Sequence, residues 1–218
     1  MRRSQDHDVK KHFSDKPPFL AWLRWSRHEG AQEDPGEAVE YIHRKIKAAM
    51  EMDDARGTTG AWVSLLGFSQ GAKLAACLLY TRQHCLQVLG RKPSHYLPNF
   101  HFAVLIAGRS PLVWLDDDPE VPRGLISAGT LSRAVPTSFE SIPIDERLSV
   151  PTLHVHGLRD PGLAMYREML EQCCDESSLR VMEWEGAHQV PIKTSDVATL
   201  AQTILSLAKR SGSIEVIL

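Results

Sequence analysis

Three side chains of this sequence have the types and the chain order needed for acyl transfer through a serine nucleophile. Ser69 lies inside a Gly-x-Ser-x-Gly pentapeptide, Asp160 follows one predicted strand, and His188 follows the next. A serine hydroxyl becomes a useful nucleophile when a neighbouring base accepts its proton, and neutral histidine can do this near pH 7. A carboxylate behind the imidazole holds the required tautomer and stabilises the imidazolium that forms. The pattern therefore predicts a catalytic triad of Ser69, His188 and Asp160.

The pentapeptide around Ser69 follows an apolar run and precedes a stretch rich in alanine and leucine. This order predicts a strand, a tight turn and a helix, which is the context of a nucleophile elbow with a strained serine backbone. Side chains two residues before and after the serine would collide with the neighbouring backbone, so glycine is expected at both Gly67 and Gly71. The backbone N–H of Gln70 would then lie at a helix N-terminus and could donate to an oxyanion in an oxyanion hole.

Apolar strands alternate with amphipathic helices along the chain. Strands are predicted before the pentapeptide and over residues 101–108, 150–157 and 179–184, and helices over residues 34–52, 70–84, 163–174 and 196–210, with Asp34 as the first N-cap. This alternation predicts an α/β fold with a parallel sheet of about four clear strands and helices on both faces. Residues that follow such strands gather at the carboxyl edge of the sheet, where Ser69, Asp160 and His188 are expected to meet.

Length and composition indicate one domain over residues 1–218, with enough apolar content (43%) for a substantial core. The net charge of −2 gives no electrostatic footprint for nucleic acid, and no apolar run is long enough to predict a membrane span. Neither a secretory signal nor a disulfide framework is evident, so a cytoplasmic setting is predicted. Residues 1–18 are expected to be poorly ordered, and the proline-rich residues 109–150 are expected to form a lid or binding-loop insertion.

Two groups of side chains could bind a metal ion, but each has a simpler interpretation. His154 and His156 would lie on one face of a strand, where packing or a hydrogen bond to the site is favoured because no third ligand has suitable spacing. The acidic residues 116–118 could chelate a divalent cation, but a solvated loop is favoured. The sequence therefore predicts no metal site and no cofactor.

Four segments together resemble the fungal-type serine hydrolase (FSH) family over about residues 60–210. They are Gly-Phe-Ser-Gln-Gly-Ala, Leu-Ile-Ala-Gly, Val-Pro-Thr-Leu-His-Val-His-Gly-x-x-Asp-Pro and Glu-Gly-Ala-His-Gln-Val-Pro. The family includes small esterases and stand-alone thioesterases that release polyketide acyl chains in fungal clusters. The resemblance implies an α/β-hydrolase fold, with the nucleophile on Ser69, the acid on Asp160, the base on His188 and one oxyanion donor on Gln70.

The chain departs from the family pattern near its start. Family members begin with a strand of the type Leu-x-Leu-His-Gly-x-Gly, whose loop supplies a second oxyanion donor, and no such segment precedes residue 60. The elbow strand is therefore expected at a sheet edge, which predicts either a homodimer or a covering N-terminal segment. Loss of one oxyanion donor is expected to slow hydrolysis by roughly 10²–10³.

The sequence thus predicts a serine esterase or thioesterase that works through an acyl-serine intermediate. The resemblance implies a hydrophobic acyl substrate of fungal secondary metabolism, either a small molecule or bound to a carrier, and neither nucleic acid nor membrane is expected as a partner. The candidate substrate-binding residues are Phe68, Trp114, Trp22 and Trp25. Two alternatives remain open: a non-hydrolytic enzyme that uses His188 as base for condensation, cyclisation or isomerisation, and a non-catalytic remnant that binds a ligand or partner.

Overall fold

A four-stranded parallel sheet with helices on both faces forms the centre of the computed structural model. The structure describes residues 2–3, 20–21, 34–95, 97–128 and 140–213. Its helices are α1 (Pro35–Asp54), α2 (Gln70–Gln87), α3 (Leu163–Cys173) and α4 (Thr194–Arg210), with a 3₁₀ turn at Ile144–Glu146. Its strands are β1 (Arg2–Arg3), β2 (Leu20–Ala21), β3 (Ser64–Phe68), β4 (Phe102–Ile106), β5 (Val113–Trp114), β6 (Ile126–Ser127), β7 (Thr152–Gly157) and β8 (Leu179–Trp184). The predicted α/β class is confirmed.

The main sheet has the order β3-β4-β7-β8, and all three pairings are parallel. Strand β4 is buried along its whole length, as expected for an apolar strand with helices on both sides. Alternate residues of β4 enter two separate core clusters. Ala103 and Leu105 pack with residues of α1, α2 and α3, whereas Phe102, Val104 and Ile106 pack with residues of α4. The two-residue period of the strand thus divides the core between the two faces of the sheet.

Within the described part of the predicted insertion, residues 109–128 and 140–150, the segment 110–116 is buried in the core, and most of the other residues are partly or fully exposed. The predicted role of the insertion as a lid or binding loop stays a prediction. Strands β5 and β6 pair with each other, and β5 packs against α2. The backbone N–H of Val113 donates to Cys77 Sγ (3.1 Å), and that of Leu115 donates to Thr81 Oγ1 (3.2 Å). Because Cys77 and Thr81 are one helical turn apart, α2 offers acceptors that bind this segment along its length.

The acidic residues 116–118 form an ion-paired network, so the favoured interpretation as a solvated loop is wrong for Asp116. The Asp116 carboxylate is fully buried and accepts hydrogen bonds from Arg91 (2.8 Å) and from the backbone N–H of Ser94 (2.7 Å). Burial alone would raise the pKa of Asp116, but these hydrogen bonds hold it well below its ordinary value. Asp118 also pairs with Arg91 (2.9 Å), which joins the segment before β4 to the segment after it.

Strand β3 occupies one edge of the described sheet. Among the described residues it pairs only with β4, and the Leu66 side chain is 65% exposed. The edge position predicted for the elbow strand is therefore confirmed for this part of the chain. No helix within the described ranges has both the length and the apolarity needed to span a bilayer. The predicted disorder of residues 1–18 falls almost entirely outside the described residues.

Candidate active site

The elbow between β3 and α2 exposes Ser69 through a strained backbone. Ser69 has φ 53° and ψ −115°, a region that residues with a side chain rarely adopt. Its own N–H donates to the carbonyl of Ile106 (2.8 Å), which ties the turn to the end of β4. An added Cβ at Gly67 would collide with the backbone of Gly71 and would lie 2.5 Å from the nitrogen of Ala72. The prediction that Gly67 must be glycine is confirmed.

The matching prediction for Gly71 is wrong. Apart from its chain neighbours and the nearby backbone of its own helix, a Cβ added at Gly71 would have none of the described atoms within 4 Å, and the φ of Gly71 is not in the left-handed region. The start of α2 approaches β3 at Gly67, so the crowding falls on one side of the serine only. An alanine at Gly71 would fit the first turn of the helix.

Asp160 reaches the site from the turn that follows β7. Its backbone N–H donates to the carbonyl of Gly157 (3.0 Å), and its Oδ1 accepts the N–H of Gly162 (2.8 Å). The side chain is only 3% exposed. Because the carboxylate is held by its own turn, it presents Oδ2 in a fixed direction.

His188 reaches the site from the loop that follows β8. This loop crosses close to the end of β7, where a Cβ on Gly157 would lie 2.6 Å from the carbonyl oxygens of Gly186 and Ala187. A Cβ on Gly186 would in turn collide with the Trp184 ring. Glycine at these two positions therefore lets the histidine loop approach the turn that carries Asp160.

The structure brings the three predicted side chains into contact. His188 Nε2 lies 2.9 Å from Ser69 Oγ, and His188 Nδ1 lies 2.8 Å from Asp160 Oδ2. The imidazole is about half exposed at 46%, in contrast to the buried carboxylate behind it. The Phe68 ring lies against the imidazole, with 5.0 Å between the ring centroids. The site is thus open on the side of the serine and closed on the side of the carboxylate.

A fourth side chain belongs to this cluster, Tyr166 of α3, and no sequence pattern assigned it to the site. Its hydroxyl lies 3.0 Å from His188 Nδ1 and forms a hydrogen bond with Asp160. Burial, followed by this hydrogen bond, raises the pKa of the phenol above its ordinary value. Helical spacing could have indicated Tyr166. A helix that begins directly after the Asp160 turn directs a residue of its first turn back toward that turn.

His154 and His156 project from β7 toward α3, where the His156 ring packs against the ring of Tyr166. His154 Nε2 lies 3.0 Å from Thr152 Oγ1, and the two histidine rings are 6.2 Å apart. Burial lowers the pKa of His154 to about 3 and that of His156 to about 4. The described part of the chain holds no group of three side chains suited to a metal ion. Both histidines are therefore neutral residues of the strand's packed face.

The position of Trp114 does not support its predicted role in substrate binding. Its side chain is 3% exposed, its Nε1–H donates to the carbonyl of Asp118 (2.9 Å), and its ring packs edge-on against His84. His84 is fifteen residues along α2 from Ser69, a distance of about 22 Å at the helical rise. Trp22 and Trp25, the other two predicted tryptophans, lie outside the described residues.

Sequence comparisons give close relatives among fungal proteins. The profile of a family described as serine hydrolase (FSH1) matches residues 2–200. Esterase dbaE of Emericella nidulans is 44% identical over 214 residues, which cover 95% of this chain and 76% of that protein. Esterase pigG of Monascus ruber is 43% identical over 218 residues, which cover 95% of this chain and 77% of that protein.

Comparison with solved structures gives a more distant likeness. Acyl-protein thioesterase 2 of Zea mays has a TM-score of 0.50 and 17% sequence identity, over 90% of this chain and 76% of that chain. At this identity the likeness concerns the fold alone. It confirms the predicted α/β-hydrolase-like architecture.

Proposed function

The chain belongs to the serine hydrolase (FSH1) family, and from that premise we propose that it cleaves an ester or thioester through an acyl intermediate on Ser69. The observation that carries the proposal is the position of His188, whose two ring nitrogens lie 2.9 Å from Ser69 Oγ and 2.8 Å from Asp160 Oδ2. Esterase is also the activity in the names of the two fungal relatives. A serine, a base and an orienting carboxylate in hydrogen-bond reach are the parts that nucleophilic catalysis needs.

The proposed reaction has two halves with the same base. Ser69 Oγ attacks the carbonyl carbon while its proton passes to His188 Nε2, and a tetrahedral oxyanion forms. The bond to the leaving oxygen or sulfur then breaks, and the leaving group takes the proton from Nε2. A water molecule then attacks the acyl carbon while His188 Nε2 takes its proton. The bond to Ser69 Oγ breaks, Oγ takes the proton back from Nε2, and the acid leaves. Asp160 stabilises the imidazolium in both halves.

The backbone N–H of Gln70 is the proposed oxyanion donor. Gln70 is the first residue of α2, so its N–H belongs to the helix turn that favours negative charge. The predicted loss of a second donor stays a prediction, because most residues before Asp34 lie outside the described part of the chain. A site with one donor would be slower by roughly 10²–10³ than one with two.

The proposed substrate is a hydrophobic acyl group of fungal secondary metabolism, presented as a small molecule or on a carrier. Its support is the family resemblance, together with the Phe68 ring beside His188, which offers an apolar surface next to the reacting serine. Trp22 and Trp25 remain proposed substrate-binding residues. A comparison of oxygen and thioester substrates with the same acyl chain would establish the preferred leaving group.

Steady-state hydrolysis of p-nitrophenyl esters of increasing acyl length tests the proposal. We expect Ser69→Ala and His188→Ala to lower kcat by roughly 10³-fold or more, because the first change removes the nucleophile and the second removes the base that activates it. Ser64→Ala, on the same strand but outside the cluster, is the matched control and should keep the wild-type rate. Full turnover by Ser69→Ala would contradict the acyl-serine scheme and would favour a reaction that needs only the His188 base.

A further inference from the structure

Tyr166 contacts both members of the pair that would activate Ser69. It lies in the first turn of α3 and is only 2% exposed. Its hydroxyl is 3.0 Å from His188 Nδ1 and also bonds with Asp160. The three proposed catalytic roles leave this buried hydroxyl without an assignment.

Which group donates each hydrogen bond follows from where the imidazole and the phenol carry their hydrogen atoms. If Nε2 of His188 is to accept the Ser69 proton, the neutral imidazole carries its hydrogen on Nδ1 and donates it to Asp160 Oδ2 (2.8 Å). The Tyr166 phenol stays protonated, because burial and the neighbouring carboxylate raise its pKa. Its hydrogen therefore goes to Asp160, whose Oδ1 already accepts the N–H of Gly162. The carboxylate thus receives donors from a backbone amide, an imidazole and a phenol.

The surroundings of Tyr166 hold its hydroxyl at this place. A Cβ added at Gly162 would lie 2.6 Å from the hydroxyl oxygen, so only glycine leaves room for it. The His156 ring packs against the phenol ring at 5.6 Å, and neither nitrogen of His156 has a hydrogen-bond partner among the described residues. Three further charged side chains act on these two rings electrostatically. Arg109 acts on Tyr166, and Glu183 and Arg167 act on His156.

We propose that Tyr166 is a positioning residue for the serine reaction: its hydroxyl orients the Asp160 carboxylate and moderates its charge, so that His188 keeps the geometry that receives the Ser69 proton. This inference rests on the proposed function. A hydrogen bond to a charged group typically contributes more than one between neutral groups, so its loss should be measurable in the reaction.

Tyr166→Phe removes the hydroxyl and keeps the ring. We expect kcat to fall roughly tenfold while KM changes less than about twofold, because binding is untouched and the base is misoriented. The acidic limb of the kcat/KM profile should move to higher pH by roughly half a unit or more, because the carboxylate then acts on the imidazole with its full charge.

Tyr80→Phe is the matched control. Tyr80 is also buried, with its hydroxyl 3.4 Å from Nδ1 of another histidine, His84, but it lies in the third turn of α2. It should keep the wild-type kcat and pH profile. A second variant, Gly162→Ala, keeps the proposal testable if Tyr166→Phe misfolds. Gly162 has φ −82°, which alanine can adopt. The added methyl group would push the Tyr166 hydroxyl out of its place without removing it. This variant should reproduce the kinetic change of Tyr166→Phe.

Proton NMR of the low-field imidazole N–H of His188 gives a readout that needs no turnover. This resonance should move in Tyr166→Phe and in Gly162→Ala, and should stay in place in Tyr80→Phe. Wild-type kcat, pH profile and resonance in Tyr166→Phe would overturn the positioning role while leaving the proposed function intact. A wild-type protein without esterase activity would overturn the proposed function, and with it the role of Tyr166 in that reaction, even if a moved resonance in Tyr166→Phe still showed that the hydroxyl acts on the Asp160–His188 pair.

Discussion

At the scale of single residues, the site depends on one strained backbone position and on a few glycines that leave room for neighbouring segments. The left-handed φ of Ser69 is tolerated because the end of β4 accepts its N–H and because Gly67 leaves room for the start of α2. Gly157 and Gly186 similarly allow the histidine loop to cross the end of β7. The geometry of the proposed active site thus depends on glycine at these three positions.

Two glycine variants test whether steric crowding, rather than the Gly-x-Ser-x-Gly pattern as such, requires glycine in the elbow. We expect Gly67→Ala to lower the free energy of unfolding by about 3 kcal/mol or more, because its methyl would collide with backbone that cannot move independently. Gly71→Ala should be neutral or should stabilise by about 0.5–1 kcal/mol, because alanine is favoured in a helix and meets open space. Urea unfolding of the two variants measures both. Equal destabilisation by the two changes would contradict this description of the elbow.

Residue types and spacing were enough to predict Ser69, Asp160 and His188, because the order of strands places their following residues at one edge. Tyr166 could not be predicted in the same way, since a tyrosine in an amphipathic helix is indistinguishable from a core residue until α3 is placed against β7. Trp114 shows the opposite error. An indole ring could line a substrate pocket, but the Trp114 ring packs against His84, far along α2 from Ser69, and its Nε1–H donates to the carbonyl of Asp118.

At the scale of elements, β7 connects the core to the site. One face of the strand contributes Leu153 and Val155 to the α4 side of the core, and the other carries His154 and His156 toward α3. Strand and helix positions were predictable because apolar periodicity reports them. The burial of residues 110–116 was not, because β5 is only two residues long and packs through tertiary contacts with α2.

The buried histidines predict a loss of stability in mild acid. The pKa of His154 is lowered to about 3 and those of His156 and His43 to about 4, with burial as the main cause. The unfolded chain binds protons on these residues near their ordinary pKa of about 6.5, whereas the folded chain does not, so stability is present above pH 6.5 and is lost toward pH 4. Each such histidine contributes a slope of about 1.4 kcal/mol per pH unit within this window.

Replacement of one histidine should reduce that slope. We expect His156→Leu to remove about 1.4 kcal/mol per pH unit between pH 6 and 4.5. At pH 7.5 it should cost little, because it also removes two buried nitrogens without a partner among the described residues. Urea unfolding across this pH range measures the slope. An unchanged slope would show that His156 is protonated, or exposed, in the folded protein.

At the scale of the whole molecule, the described sheet has an open side at β3. The strand that leads into Ser69 is also the strand with an exposed Leu66 and a single described neighbour. An unprotected edge favours pairing with a further strand. The edge position of β3 among the described strands was predicted from the sequence, but what pairs with this edge was not, and the predicted homodimer stays a prediction.

A charge placed on this edge tests whether copies of the chain associate through it. We expect Leu66→Lys to lower concentration-dependent association, because an edge lysine opposes strand pairing. Leu205→Lys is the matched control, since Leu205 is exposed on α4, a helix on one face of the sheet, and should leave association unchanged. Sedimentation velocity over a range of concentrations gives the result. Equal association of wild type and both variants would argue against β3 as an interface between copies.

Intact-protein mass spectrometry after treatment with a fluorophosphonate at pH 7.5 tests most directly whether His188 and Asp160 activate the Ser69 hydroxyl. We expect one covalent adduct per chain, mapped to Ser69, absent in Ser69→Ala and formed far more slowly in His188→Ala. An unmodified wild-type chain, or an adduct that persists in Ser69→Ala, would contradict this activation.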